Sequence, residues 1–236
     1  MRHAIFANIG KARAENEDSY LLKTKPLTII AVADGMGGHR AGEVASKMAV
    51  DIIAAYQFDL QEELLNQIVQ VIEHANCQLI KSGLDHEKYR GMGTTLAMGI
   101  IYNQDLYLGH IGDSRIYLFR ANQLKQLTTD HSLVNELLNQ QQITLQEAFN
   151  HPQRHVITQA LGAQVELDVE TIKIPLLKND LLLFCTDGLS DMIRFKEIES
   201  LFQTVGDIEQ LTNLLGEKAL ENGGKDNITL IIYQIN

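Results

Sequence analysis

Three aliphatic segments crowd the middle of the chain, Thr95 to Tyr102, Leu106 to Ile111 and Ile116 to Arg120, with only short turns between them. This spacing constrains the fold more than any other feature, because neighbouring parallel strands need a crossover of about a dozen residues or more. The tight links at Asn103-Gln104 and Ala121-Asn122 therefore predict antiparallel hairpins. Leu27 to Ala33, Leu181 to Cys185 and Ile228 to Tyr233 read as further strands, each aliphatic and bounded by turn residues. Two amphipathic helices are predicted. One covers Gly42 to Tyr56, after the glycine-rich turn at Gly37-Gly38. The other carries Leu64, Ile68, Val71, Ile72, Ala75 and Leu79 at steps of three and four. A third runs from about Ile208 to Leu220. Helices grouped near the ends, with strands between, point to an α+β sandwich: two mainly antiparallel sheets flanked by α-helices.

A chain of 236 residues is long enough for one well-buried core, and no glycine- or serine-rich linker divides it, so a single domain over residues 1–236 is expected. Within it, Ser132 to Gln140 reads as a short helix, but Gln141 to Gln159 is polar and poorly periodic. Long irregular segments of this kind are either functional flaps or plain surface excursions. Residues 131–160 are taken as a flap.

The formal charge of -10 argues against general binding to nucleic acid or anionic membrane, which requires clustered Lys and Arg. A phosphorylated partner would be repelled at long range, so its capture needs local positive charge from cations or a particular arginine. The only cysteines, Cys77 and Cys185, form no C-x-x-C pair, and no apolar run approaches the roughly 18 residues of a membrane span. A reducing, cytoplasmic setting is expected.

Aspartates fall at the ends of the apolar segments. Asp34-Gly35 follows Ile29 to Ala33, Asp113 follows Leu106 to Gly112, Asp187-Gly188 follows Leu181 to Thr186, and Asp226 precedes Ile228 to Tyr233. One Asp-Gly pair is an everyday turn. Several that converge are another matter: carboxylates about 5 Å apart repel by roughly 3 kcal/mol per pair at an effective dielectric near 20. Such a cluster must take up protons or bind cations. Ligands made only of oxygen suit Mg²⁺ or Mn²⁺ rather than zinc, and Gly35 would let its own carbonyl approach an ion.

Six segments together resemble the type 2C, metal-dependent protein phosphatases. They are Arg13-Ala14-Glu15-Asn16-Glu17-Asp18, Ala33-Asp34-Gly35-Met36-Gly37-Gly38-His39, Gly93-Thr94-Thr95, Gly112-Asp113-Ser114-Arg115, Thr186-Asp187-Gly188-Leu189-Ser190-Asp191 and Gly224-Lys225-Asp226-Asn227. They occur in the family's order and span nearly the whole chain; Met36 resembles the compact bacterial branch.

The resemblance implies a protein serine/threonine phosphatase in which a metal-bridging hydroxide attacks phosphoserine or phosphothreonine, reversing a Ser/Thr kinase in a monomeric, cytoplasmic, signalling role. Two or three Mn²⁺ or Mg²⁺ ions are implied. Asp34 would bridge two of them, with the Gly35 carbonyl, Asp187 and Asp226 completing the ligands, while Asp113 would join Asp187 at a third position. Glu17 and Asp18 would orient waters, and Arg13 would clamp the phosphate. Animal and plant members carry a histidine directly after the Asp-Gly pair, where this chain has Met36. A thioether is no acid, so the leaving alkoxide would take its proton from a metal-bound water or from His39. The rival reading is a non-catalytic phosphoprotein-binding or sensor module on the same fold, which would be expected to lose ligand acids. Here Asp34, Asp113, Asp187, Asp226 and Arg13 are all present. His110, His155, Cys185 and Lys225 are read as structural or surface residues.

Overall fold

The computed structural model describes residues 2–37 and 41–236. One sheet runs in the order β1-β11-β10-β7-β8, built from Arg2–Asn8 (β1), Ile228–Gln234 (β11), Leu181–Cys185 (β10), Arg115–Arg120 (β7) and Gln123–Gln126 (β8). The other runs β2-β3-β5-β6-β9, from Asp18–Lys23 (β2), Thr28–Met36 (β3), Leu96–Tyr102 (β5), Asp105–Ile111 (β6) and Glu170–Pro175 (β9); Gly93–Thr94 (β4) pairs with the end of β3. Every pairing is antiparallel.

Both predicted hairpins form, β5 with β6 and β7 with β8. Their turn residues Asn103 and Gln104, and Ala121 and Asn122, all take positive φ between 49° and 65°. Two successive left-handed residues give the turn whose twist matches paired strands. Between the hairpins, at Gly112–Ser114, the chain leaves one sheet and enters the other, so β6 and β7 follow in sequence without pairing.

Three apolar layers hold this arrangement. Ile30, Val32, Leu106 and Leu108 meet Ile116, Leu182, Phe184 and Ile231 between the sheets. On one outer face, helices α1 (Ala41–Ala55) and α2 (Leu64–Asp85) bury Ala45, Ala49, Ile53, Ile68, Ile72 and Leu79 against the β2–β9 sheet. Against the opposite sheet pack the short helix α5 (Asp187–Ser190), α6 (Phe195–Thr204) and α7 (Ile208–Glu221), through Leu189, Ile198, Phe202, Leu211 and Leu215. The predicted sandwich is the observed one. Asp207 begins α7 by accepting from the amides of Glu209 and Gln210, both at 3.0 Å.

Residues between β8 and β9 include the predicted short helix, α3 (Leu133–Asn139), and a second helix outside the predicted elements, α4 (Leu145–Phe149). A signal for it was present. Thr144 and Glu147 form a reciprocal capping box, the T-x-x-E pattern of a helix start. Backbone bridges Ser132↔Ile157 and Thr94↔Leu161 tie this segment down beside the ends of β3 and β4.

Among the described residues, no helix is long and apolar enough to cross a membrane.

Candidate active site

The acids gather at one end of the sandwich, and local hydrogen bonds explain how. Asp34 lies inside β3, whose pairing continues to Met36, with Asp18 directly opposite on β2. Its main chain is locked by the neighbouring threonines. Thr94 Oγ1 and the Thr95 amide donate to the Asp34 carbonyl at 2.8 and 2.9 Å, while the Asp34 amide donates to Thr95 Oγ1 at 2.9 Å. Thr95 Oγ1 also meets Ser114 Oγ at 2.7 Å, linking this strand to the turn that carries Asp113.

Asn227 performs the equivalent task for Asp226. Its Nδ2 donates to the carbonyls of Ile9 and Glu15, its Oδ1 accepts from the Glu17 amide at 2.8 Å, and its own amide donates to Asp226 Oδ1 at 2.8 Å. One side chain therefore fixes both the Arg13–Asp18 loop and the approach to β11. Thr186 Oγ1 donates to Asp18 Oδ2 at 2.9 Å, seating Asp18 beside the start of α5.

Close backbone approach explains two glycines of the motifs. A Cβ on Gly35 would stand 2.1 Å from the Gly42 carbonyl oxygen, and one on Gly188 would stand 1.9 Å from that of Asn227. Alanine at either position must push an element away. Gly188→Ala is expected to destabilise by about 1–3 kcal/mol, the usual range for overpacking. That corresponds to a fall in Tm of roughly 2–12 °C in a chain of this size, checked by thermal melting.

The resulting cavity, about 440 Å³, is lined by Asp34, Gly35, Asp113, Asp187 and Asp226, with Arg13, Glu17 and Lys225 at its edge. Asp18 sits behind this wall and does not line it. Asp34 is close enough to hydrogen-bond Asp187. Burial, then the Asp187, Asp18, Asp113 and Asp226 charges, hold the Asp34 carboxyl well above the usual range. Asp113 is raised in the same way by burial and by Asp187. Burial first, with nearby carboxylates, lifts Asp187 and Asp18 to about 7. Glu17 is raised by burial. Among the described residues, three buried carboxylate oxygens, Glu17 Oε1, Asp18 Oδ1 and Asp187 Oδ1, have no hydrogen-bond partner. An all-oxygen donor set with unpartnered carboxylates crowded against their own repulsion fits hard divalent cations.

Arg13 supplies the counter-charge. Its Nη2 donates to Asp226 Oδ2 at 2.7 Å, and its side chain remains 47% exposed, leaving the rest of the guanidinium fork free to face a ligand. The arginine of the Gly112–Arg115 motif has another task. Half-buried Arg115 grips Asp130 through Nε and Nη2 at 2.6–3.0 Å, bracing the base of the 131–160 segment. His131 continues that brace: its amide donates to the Gly112 carbonyl at 2.8 Å, and its Nδ1 accepts from the Gly112 amide at 3.2 Å.

Three residues at or beside the cavity, Asp191, His155 and Lys225, were not assigned a functional role from the sequence. Asp191 lies one turn beyond Asp187 and meets Arg154 Nε at 3.3 Å and His155 Nδ1 at 3.1 Å. His155, read as a surface histidine, is 56% exposed, yet it lines the cavity and can close on Asp187 and Asp191 as a potential metal-holding group. The i, i+4 spacing of Asp187 and Asp191 was the available signal. Lys225 is likewise at the cavity rather than merely in a turn. His39 lies outside the described residues.

A family model described as Protein phosphatase 2C matches residues 11–222 of the chain. The chain belongs to the protein phosphatase 2C family. Relatives agree along the full length. Protein phosphatase PhpP of Streptococcus pneumoniae is 40% identical over 243 residues, covering 100% of this chain and 98% of the relative. Serine/threonine phosphatase stp of Listeria monocytogenes serovar 1/2a is 35% identical, covering 98% and 95%. The crystal structure of the Mycobacterium tuberculosis serine/threonine phosphatase PstP/Ppp superposes with a TM-score of 0.92 at 34% identity, covering 100% and 98%. A PstP catalytic domain in complex with two manganese ions gives 0.88 at 32% identity, covering 100% and 98%. The chain is thus a protein serine/threonine phosphatase of the metal-dependent 2C type. In this phosphatase the helix pairs and both sheets serve to bring acids from distant segments to one cavity.

Proposed function

We propose that this phosphatase hydrolyses phosphoserine and phosphothreonine in proteins with Asp34, the Gly35 carbonyl, Asp187 and Asp226 holding two Mn²⁺ or Mg²⁺ ions, and Asp113 sharing a third with Asp187. The observation that carries the reading is the meeting of Asp34, Asp113, Asp187 and Asp226 in one cavity, where burial first and their mutual repulsion second raise the Asp34, Asp113 and Asp187 carboxyls. When bound, such ions supply a water acidified toward neutrality and neutralise the charge of a phosphoryl group. Asp34 and Asp187 are anchored on β3 and the start of α5, so the position of that chemistry is set by the sheets rather than by loops. Glu17 and Asp18 present carboxylate oxygens behind and beside this centre and orient water there.

Arg13 swings from Asp226 to the incoming phosphate, which it receives with a planar fork of donors. The sign reversal an acidic enzyme needs is thereby local. The proton for the leaving seryl or threonyl oxygen comes from an ordered water or from His39, since Met36, at the cavity wall, has none to give. Arg13→Ala is expected to lower kcat/KM for a phosphothreonine peptide by about 10–100-fold, the worth of a hydrogen bond to a charged group. Arg13→Lys should restore part of it, because a point charge remains while the fork is lost. Steady-state kinetics of the two variants check both.

The single catalytic unit extends over residues 1–236, with residues 131–160 as a flap beside the cavity. It acts in the cytoplasm as a monomer, in signalling, opposite a Ser/Thr kinase. Release of phosphate from a phosphothreonine peptide, with Mn²⁺ and with chelator, tests the activity. The expected result is turnover only with metal; equal rates in both would defeat the reading.

A further inference from the structure

Beside the acidic cavity lies a larger groove, about 1110 Å³, and Arg13 and Glu17 line both. Its floor is apolar. Val44 and Met48 on α1, with Tyr89 from the turn after α2, are half-buried there as the rim of the core beneath the helices. Its walls carry charge, but the cations are already engaged. Lys47 pairs with Asp51 at 2.5 Å, the Lys88 ammonium lies 4.6 Å from the centre of the Tyr89 ring, and Arg13 is held by Asp226 at 2.7 Å. Glu43, exposed on the first turn of α1, has no side-chain partner among the described residues, and Glu15 and Glu17 stand on the same wall.

We infer that this groove receives the stretch of substrate next to the phosphorylated residue, and that it selects an apolar side chain accompanied by a lysine or arginine. The inference rests on the phosphatase reading above and names the substrate class of that same site. Continuity carries the first part: a phosphate gripped by Arg13 places the adjoining chain at the mouth of the groove. Charge complementarity carries the second part. A substrate with basic flanks is drawn toward a protein of net charge -10 that would otherwise repel its phosphate. At the wall the basic side chain meets Glu43, while Val44, Met48 and Tyr89 cover the apolar one.

Two phosphothreonine peptides differing only beside the phosphoresidue, one with leucine and arginine and one with serine and glutamate, test this against p-nitrophenyl phosphate, which reaches no flanking groove. Wild type is expected to prefer the leucine–arginine peptide by roughly tenfold in kcat/KM, from one exposed ion pair and one partly buried side chain. Glu43→Lys should remove the charge preference and Met48→Asp the apolar one, with p-nitrophenyl phosphate turnover unchanged in both. That unchanged turnover also shows that the variants fold. Equal kcat/KM for the two peptides in wild type, a preference for the acidic peptide, or a preference that survives both substitutions would overturn the groove assignment. Wild type that releases phosphate from neither the peptides nor p-nitrophenyl phosphate would instead defeat the phosphatase reading, and the groove assignment with it.

Discussion

Replacing Asp187 by asparagine is expected to lower metal-dependent phosphate release from a phosphothreonine peptide by about 1,000-fold, the equivalent of roughly 4 kcal/mol of transition-state stabilisation. Asp187 sits among many charges: it touches Asp34, faces Asp226 and Asp191, and keeps a buried carboxylate oxygen without a partner among the described residues. Asparagine retains the shape and the start of α5 but surrenders the anionic oxygen. The loss of rate must then come from chemistry and not from collapse of the site. Stability separates the two. Without metal at neutral pH, the variant should melt a few degrees above wild type, because one member of a mutually repelling set is gone. A variant that loses activity and also melts lower would show that Asp187 holds the fold rather than the ions.

The second large effect concerns the metal-free protein as pH changes. Asp18 and Asp187 are raised to about 7 in the folded state, against an ordinary value near 3.8, and Asp34 and Asp113 are raised as well. Burial is the leading cause in every case. A carboxyl that keeps its proton in the folded state and loses it when unfolded gives its full stabilisation below the unfolded value. That stabilisation disappears as pH rises through the folded one. Metal-free enzyme should therefore lose stability between about pH 4 and pH 7. Saturating Mn²⁺ should reverse the loss, since a cation replaces the protons. At roughly 100 times Kd it adds about 2.7 kcal/mol, or about 5–11 °C in Tm for a chain of this size. The gain should be smaller at pH 5 than at pH 8, because protons compete with metal for the same oxygens. Thermal melts with chelator or Mn²⁺ at the two pH values check this. A metal-free Tm that climbs from pH 5 to pH 8 in wild type and in Asp187→Asn alike would mean that the cluster does not govern stability.

Much of the architecture was legible in the chain because its central strands are joined by turns too short for anything but hairpins, and because α2 repeats its apolar residues at helical spacing. The elements less legible in the chain are so for a physical reason. Strands β1 and β9, at the edges of their sheets, are only partly buried; β1 shows no clean alternation of apolar and polar residues, and that of β9 is confined to Thr171–Ile174. Helix α6 has the polar face of a surface helix and buries little more than Ile198 and Phe202. At the site, strand ends located Asp34, Asp113, Asp187 and Asp226, but spacing alone carries no information about which ends meet. That depends on sheet order, which places β3 and β10 in different sheets that pack face to face. Hydrogen bonds made by Thr94, Thr95 and Asn227 were equally invisible, although each belongs to a motif quoted from the sequence. Asp191 and His155 gained their place only when the segment after α4 folded back over α5.

Manganese-edge anomalous diffraction from a crystal of this protein soaked in Mn²⁺ tests the central claim most directly. The expected result is anomalous signal in the cavity that Asp34, Asp187 and Asp226 line, with further density near Asp113. A cavity that stays free of anomalous signal while those carboxyls retain their separations would contradict it.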